Sequence, residues 1–303
     1  MERLNCYSDI WPVRRKVKTR SVVNLNRATG LLLIEVTNSN PNGNPDQESD
    51  PRLRPDERGM ISAVSLKRKL RDLVEDKDGP VWRGVSASFD PPLPADHFSV
   101  LESRGRNRDE ILALERDEFV RRYWDARLFG ATFLQSDETG FIQTGVVQFG
   151  MGISISPVDV ERMTTTSKAS VETGKKTRGM APLAYRVVLH GVYVMPYFVN
   201  PTAARKSGCE DMDIELMKRL IPYVYTHTAS YIRPMVTIRH AWHIEHQSAL
   251  GSCPDFALID AMTPKRAREE DREIPSKSWQ DYTVPDKLPD QLASRVTMID
   301  LVS

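Results

Sequence analysis

Cysteine is scarce in this chain of 303 residues: there are three, Cys6, Cys209 and Cys253. They stand far apart, with neither zinc-finger spacing nor the even count of a disulfide framework. A stapled secreted scaffold and a Cys-based zinc module are both excluded, and a reducing, cytoplasmic setting is expected. Excess charge is also lacking, since 42 Lys and Arg against 41 Asp and Glu leave a net charge of +1. A chain so balanced that binds a polyanion must gather its basic residues on one surface. Long apolar runs are missing as well. The longest apolar region, 187–199, is broken by His190 and Pro196 and cannot span a bilayer as a clean helix. The opening stretch MERLNCYSDIWPVRRK has no apolar segment of the secretory kind. Neither an internal repeat nor a low-complexity tract is present.

What remains is an ordinary globular composition, 40% hydrophobic and 27% charged, long enough to bury a sizeable core. Residues 1–30 are mixed and basic and are expected to be an extension. Leu31 to Thr37 (LLLIEVT) is a nearly continuous apolar run, which predicts a buried strand. It runs into NSNPNGNPD, almost entirely turn formers. Ile61 to Lys77 has Ala63, Leu66, Leu70 and Leu73 at helical spacing, with Lys67, Arg68 and Arg71 off that stripe. Gly79 and Pro80 predict a helix stop.

Residues 80–108 are rich in Pro and Arg and are expected to form an insertion. A weaker helical period follows from Asp109 to Asp125. Residues 141–156 favour strand, with glycines that suggest bulges. Residues 158–183 hold many Thr, Lys and Arg and few large apolar residues, which predicts an exposed excursion between two strands. Residues 184–199 read as strand. Asp211 to Thr226 reads as a helix that Pro222 must kink or divide. Residues 235–247 and 295–301 read as strands.

Stripped of insertions, the order is strand, helix, strands, helix, strand. The fold class expected is α+β, a ferredoxin-like palm of the RNA-recognition-motif kind spanning 31–303. The insertion at 80–108 and a projecting thumb hairpin at 158–183 decorate it. That superfold serves many functions, so the order alone assigns none.

Seven segments in order carry a more specific likeness: Asn40–Asp46 (NPNGNPD), Met60–Arg71 (MISAVSLKRKLR), Asp125–Ala131 (DARLFGA), Gly145–Phe149 (GVVQF), Arg162–Thr166 (RMTTT), Thr177–Met180 (TRGM) and His190–Tyr193 (HGVY). Together they resemble the backbone subunit of type I CRISPR effector complexes, closest to subtype I-C, from about Gly30 onward. The resemblance implies a non-catalytic protein without cofactor. It would hold guide RNA, line up head-to-tail with further copies of itself, and meet other effector subunits. Invading target DNA would be captured through guide pairing.

A guide differs from one spacer to the next, so its holder must grip phosphates and riboses and leave base edges free. The loop–helix unit suits that task. Asn40 and Asn42 lie in a loop that lets backbone approach closely, Ser62 sits at the helix start, and Lys67, Arg68 and Arg71 follow. In the excursion, Lys168, Lys175, Lys176 and Arg178 offer phosphate contacts, and Met163 is an apolar residue placed to wedge between bases. Asp125, Arg127 and Phe129 read first as structural packing and an ion pair, and of the three only Arg127 is assigned, weakly, to RNA.

The chief alternative is a metal-dependent target-RNA endonuclease of the type III kind, with Asp46 and Asp50 as loop carboxylates; both are also common turn formers. His240, His243 and His246 suggest a metal site, but on a strand His243 faces away from the other two. No nucleophile-elbow signature supports a hydrolase. A generic single-strand binder acting alone is a further class.

Overall fold

The computed structural model describes residues 25–103, 105, 107–131, 144–167 and 181–302. Strand β1 (Ala28–Ser39) begins inside the stretch expected to belong to the N-terminal extension. It runs antiparallel to β6 (Ala181–Val199) on one side and to β7 (Val236–His246) on the other. Its odd residues Leu31 and Leu33 enter one apolar cluster, and its even residues Leu32, Ile34 and Val36 enter another. Burial on both faces explains the unbroken LLLI run, which strict alternation does not produce.

One face is covered by α1 (Ala63–Glu75) and α7 (Asp211–Leu220). Leu66, Leu70, Leu73 and Val74 of α1 are buried there, each contributing about 1.5–3 kcal/mol of burial. α7 starts with a reciprocal capping box between Glu210 and Asp213. It ends where Pro222 turns the chain into a short 3-10 segment, Ile221–Tyr223. The other face is covered by α8 (Asp255–Met262), whose Leu258 and Met262 meet Leu31, Leu33, Trp242 and Ile244. The sequence pattern did not signal α8.

The remaining strands are β2 (Arg58–Ile61), β3 (Val147–Phe149), β4 (Gly152–Pro157), β5 (Val160–Ser167), a ribbon of β8 (Lys265–Arg266) with β9 (Tyr282–Thr283), and β10 (Val296–Asp300). The main sheet runs β10-β7-β1-β6-β4-β2, with β3 and β5 also on β6. β6 is long enough to serve all of these partners. Val199 to Val188 pairs with β1, while β5 continues along β6 from Val188 to Ala181. The β5–β6 hairpin therefore projects past Ser39, where β1 ends.

The expected insertion at 80–108 opens with a helix and carries a short 3-10 turn, Ala95–Phe98. α1 ends at Glu75, just before the stop expected at Gly79 and Pro80, and Pro80 itself opens α2 (Pro80–Ala87) at its first position, where a missing N–H costs nothing. The expected helix at 109–125 is three short ones, α3 (Arg108–Leu112), α4 (Arg116–Arg122) and α5 (Trp124–Phe129), around a small core of Leu101, Phe119 and Ala126. Among the described residues, no helix is long and apolar enough to cross a membrane.

Candidate nucleic-acid interface

The loop leaving β1 is fastened to α1 and to the chain entering β7. Asn40 is buried: its N–H donates to Ile232 O at 2.7 Å, its amide Nδ2 donates to Ser49 O at 2.7 Å, and its carbonyl accepts from Arg233 Nε at 2.9 Å. Two residues on, Asn42 Oδ1 accepts the N–H of Ser62 at 2.7 Å. The loop closes on itself through Gly43 opposite Pro51 and Leu53 opposite Gly59. A Cβ at Gly43 would stand 2.9 Å from Ser49 O, so this closure admits only glycine.

Ser62 is the N-cap of α1; its Oγ accepts from Ser65 N at 3.2 Å. The first turn of α1 holds no acidic side chain, so its positive end is not neutralised from within the helix. Val64, 72% exposed, opens a stripe that continues through Lys67, Arg68 and Arg71.

The structure separates these three cations. Arg68 donates to Asp72 Oδ1 at 2.7 Å, to Glu75 Oε2 at 2.8 Å and to Glu102 O at 2.6 Å. Arg71 Nε donates to the buried Asp125 carboxylate at 2.8 Å and lies over the Phe129 ring. Lys67 Nζ sits 5.1 Å from the Phe129 centroid, with no carboxylate within ion-pair distance among the described residues. Burial, and then the adjacent Arg71, push its ammonium below the usual lysine range. An anion arriving at Lys67 would relieve that repulsion.

Arg127 is a structural arginine. All five of its N–H donors are used inside the protein: two on Asp213, two on the carbonyls of Val120 and Arg121, and one on His97 O. Its weaker assignment to RNA is therefore set aside. Met163 lies on β5 opposite Tyr185 of β6. Lys168, Lys175, Lys176 and Arg178 lie outside the described residues.

Cross-strand register brings together a pair that single-strand reading missed. Arg162 and Arg186 face each other directly across the hairpin, both exposed, and like charges so placed repel. Asp50 forms an ion pair with Arg186, so that carboxylate is engaged, while Asp46 is exposed in the turn. The three histidines occupy separate environments. His240 meets Asp300 at 2.7 Å, His243 meets the Tyr197 hydroxyl at 2.9 Å, and His246 meets Ser252 and Asp255. Among the described residues, no three His, Cys, Asp or Glu side chains lie together as metal ligands.

The family model of CRISPR-associated protein Cas7 matches residues 26–286. A curated relative, CRISPR-associated protein Cas7 of Haloferax volcanii, is 26% identical over 214 residues, which are 65% of this chain. The chain spans 63% of that relative's length. Among solved structures, a chain of a pre-nicking CRISPR RNA-guided surveillance complex is similar with a TM-score of 0.46 at 13% identity. That match covers 73% of this chain and 78% of the other. A chain of the Type III-B Cmr-beta complex bound to cognate target RNA gives 0.40 at 11% identity, covering 73% and 61%.

Proposed function

The chain belongs to the Cas7 family of CRISPR-associated proteins, and from that premise we propose that it holds guide RNA as a repeated, non-catalytic backbone subunit of a type I surveillance complex, closest to subtype I-C. The carrying observation is the joint between Asn42 and Ser62. It presents an α1 N-terminus without acidic residues, followed one turn later by Lys67, a cation free of ion pairs among the described residues. Such a unit grips phosphate without reading bases.

The strand order β7-β1-β6-β4, with α1 and α7 on one face, supports reading the sheet as a split βαβ palm. The opposite face, where RNA-recognition motifs stack bases, is covered by α8. RNA contact accordingly falls to the loop–helix edge and the projecting hairpin, which we read as the thumb. Successive copies then meet head-to-tail, a heterologous contact that generates a helix unless its rotation closes a ring. Target DNA is captured by guide pairing, and the other effector subunits complete the complex.

Sequencing the small RNA that co-purifies with the assembled complex tests this reading. Repeat-derived guides are expected, together with curved filaments in electron micrographs and no cleavage of target RNA when divalent metal is added. Random cellular RNA on isolated monomers would overturn it. Metal-dependent cleavage lost in Asp46→Ala or Asp50→Ala would establish the nuclease reading instead.

A further inference from the structure

An exposed aromatic corner stands beside the loop–helix unit. Tyr185 of β6 and Tyr231 of the chain entering β7 meet with ring centroids 5.4 Å apart and planes at 66°. Tyr231 is 63% exposed. An edge-to-face pair is favourable in itself, but most of the Tyr231 ring stays in water, so core packing does not account for it.

The corner is held in place on both sides. Tyr231 lies in a tight turn closed by Arg233 N to Ser230 O at 2.8 Å. The same turn is tied to the end of β1 through Asn40 N to Ile232 O at 2.7 Å, Arg233 Nε to Asn40 O at 2.9 Å, and Met235 N to Ser39 Oγ at 2.9 Å. Asn40 is two residues from Asn42, which fastens α1. The aromatic corner and the phosphate-facing helix end thus belong to one hydrogen-bonded unit. Met163 lies opposite Tyr185 and so shares its face of the hairpin, whereas the next pair along, Arg162 and Arg186, takes the other face.

We infer that Tyr231 and Tyr185 form a stacking platform for one single-stranded nucleobase. Two rings set near a right angle offer a face and an edge to a flat ligand. Such a pair can hold a base without reading sequence, because every base has a π-face. A nucleobase is favoured over a protein surface as the occupant because the turn that carries Tyr231 is hydrogen-bonded through Asn40 to the loop that fastens the start of α1, the end proposed to hold phosphate. The inference rests on the reading of the chain as a guide-RNA holder and adds a base-contacting site to it.

The test compares the affinity of the full chain for short oligoadenylate with that for an abasic ribose-phosphate oligomer of equal length. The wild-type chain is expected to prefer the oligomer with bases by roughly 5- to 150-fold. Tyr231→Ala brings that ratio close to one, and Tyr231→Phe, which keeps the ring, retains it. A wild-type ratio near one, with measurable salt-dependent affinity for both oligomers, overturns the platform and leaves the proposed function standing. Binding of neither oligomer overturns the proposed function itself. A ratio that survives Tyr231→Ala overturns the platform. So does a Tyr231→Ala chain that keeps the ratio but loses self-assembly, which would mark the corner as a protein contact.

Discussion

The side-chain oxygen of Asn42 holds the backbone N–H of Ser62 at 2.7 Å, and Ser62 in turn caps α1 through Ser65. The loop after β1 and the start of the helix therefore move as one body. Asn42→Ala leaves the Ser62 donor without its partner and is expected to cost about 1 kcal/mol, read as a lower midpoint in thermal or urea unfolding. Asn42→Asp keeps an acceptor and adds a negative charge beside the helix N-terminus. That variant is expected to keep its unfolding midpoint but to bind RNA about fivefold more weakly, because the charge opposes phosphate by roughly 1 kcal/mol. Equal RNA affinity for the wild type and Asn42→Asp would place the phosphates elsewhere.

Lys67 and Arg71 share the Phe129 ring but differ in what they neutralise. Arg71→Ala strands the fully buried Asp125. Although Asp125 keeps the Leu101 and Glu102 amides, the loss is expected to reach about 3 kcal/mol of folding stability. Lys67→Ala strands no carboxylate. It is expected to leave the unfolding midpoint nearly in place and to reduce the log–log salt slope of RNA binding by about one unit, the signature of one phosphate contact. Adding Arg68→Ala is expected to lower stability further with little additional change in slope, since Arg68 is tied to Asp72, Glu75 and Glu102. A two-unit drop would show that Arg68 leaves those partners for the RNA.

Much of the frame was legible because it depends on local signals. The LLLI run, the leucine spacing of α1 and the break at Pro222 all express the period or φ demand of a single segment. What escaped depends on pairing at a distance. The facing of Arg162 and Arg186 is a register between strands, and one strand's residues do not encode their partner's. The pairing of Arg68 with Asp72, four residues on in the same helix, was by contrast within reach of helical spacing, and the internal packing read for Arg127 holds, though its ion-pair partner was hidden by distance. Asp213, which takes two of the Arg127 donors, lies 86 residues away. α8 was missed because most of its short stretch DFALIDAM is apolar, without a polar stripe to mark the helical period.

His243 predicts a pH dependence. Burial, and then Lys218, push its imidazole down to about 4, so the ring is neutral in the folded chain at neutral pH. The Tyr197 phenol, pushed up by burial, stays protonated and donates to His243 Nδ1 at 2.9 Å. Unfolding releases the imidazole to an ordinary value of about 6.5. Its contribution is therefore complete above about pH 6.5 and is lost as pH falls through about 4, a total of roughly 3 kcal/mol. Urea unfolding across that range is expected to show the decline, and His243→Asn, which cannot titrate, is expected to flatten it. An equally steep decline in the variant would assign the effect to other groups.

The hairpin and the loop–helix unit are expected to fail differently when their charges are removed. Seven residues of β6, Ala181 to Val187, pair only with β5 among the described residues, and at about 3.3 Å per residue they carry the hairpin on the order of 20 Å past the end of β1. Lys168, Lys175, Lys176 and Arg178 fall between Ser167 and Ala181 in the chain. On the proposed head-to-tail assembly, a phosphate held at Lys67 would belong to its own subunit, whereas a projection of that length would reach toward the next copy on the RNA. Replacing all four of these cations with Ala is therefore expected to impair filament formation and target-DNA capture more than the binding of one subunit to a short RNA. Lys67→Ala is expected to do the reverse, weakening short-RNA binding about equally for every spacer sequence. Short-RNA affinity, filament length in electron micrographs and target-DNA retention, measured on the same two variants, separate the roles. Equal losses in all three assays would refute the division, and no loss in either variant would return these residues to the solvated surface.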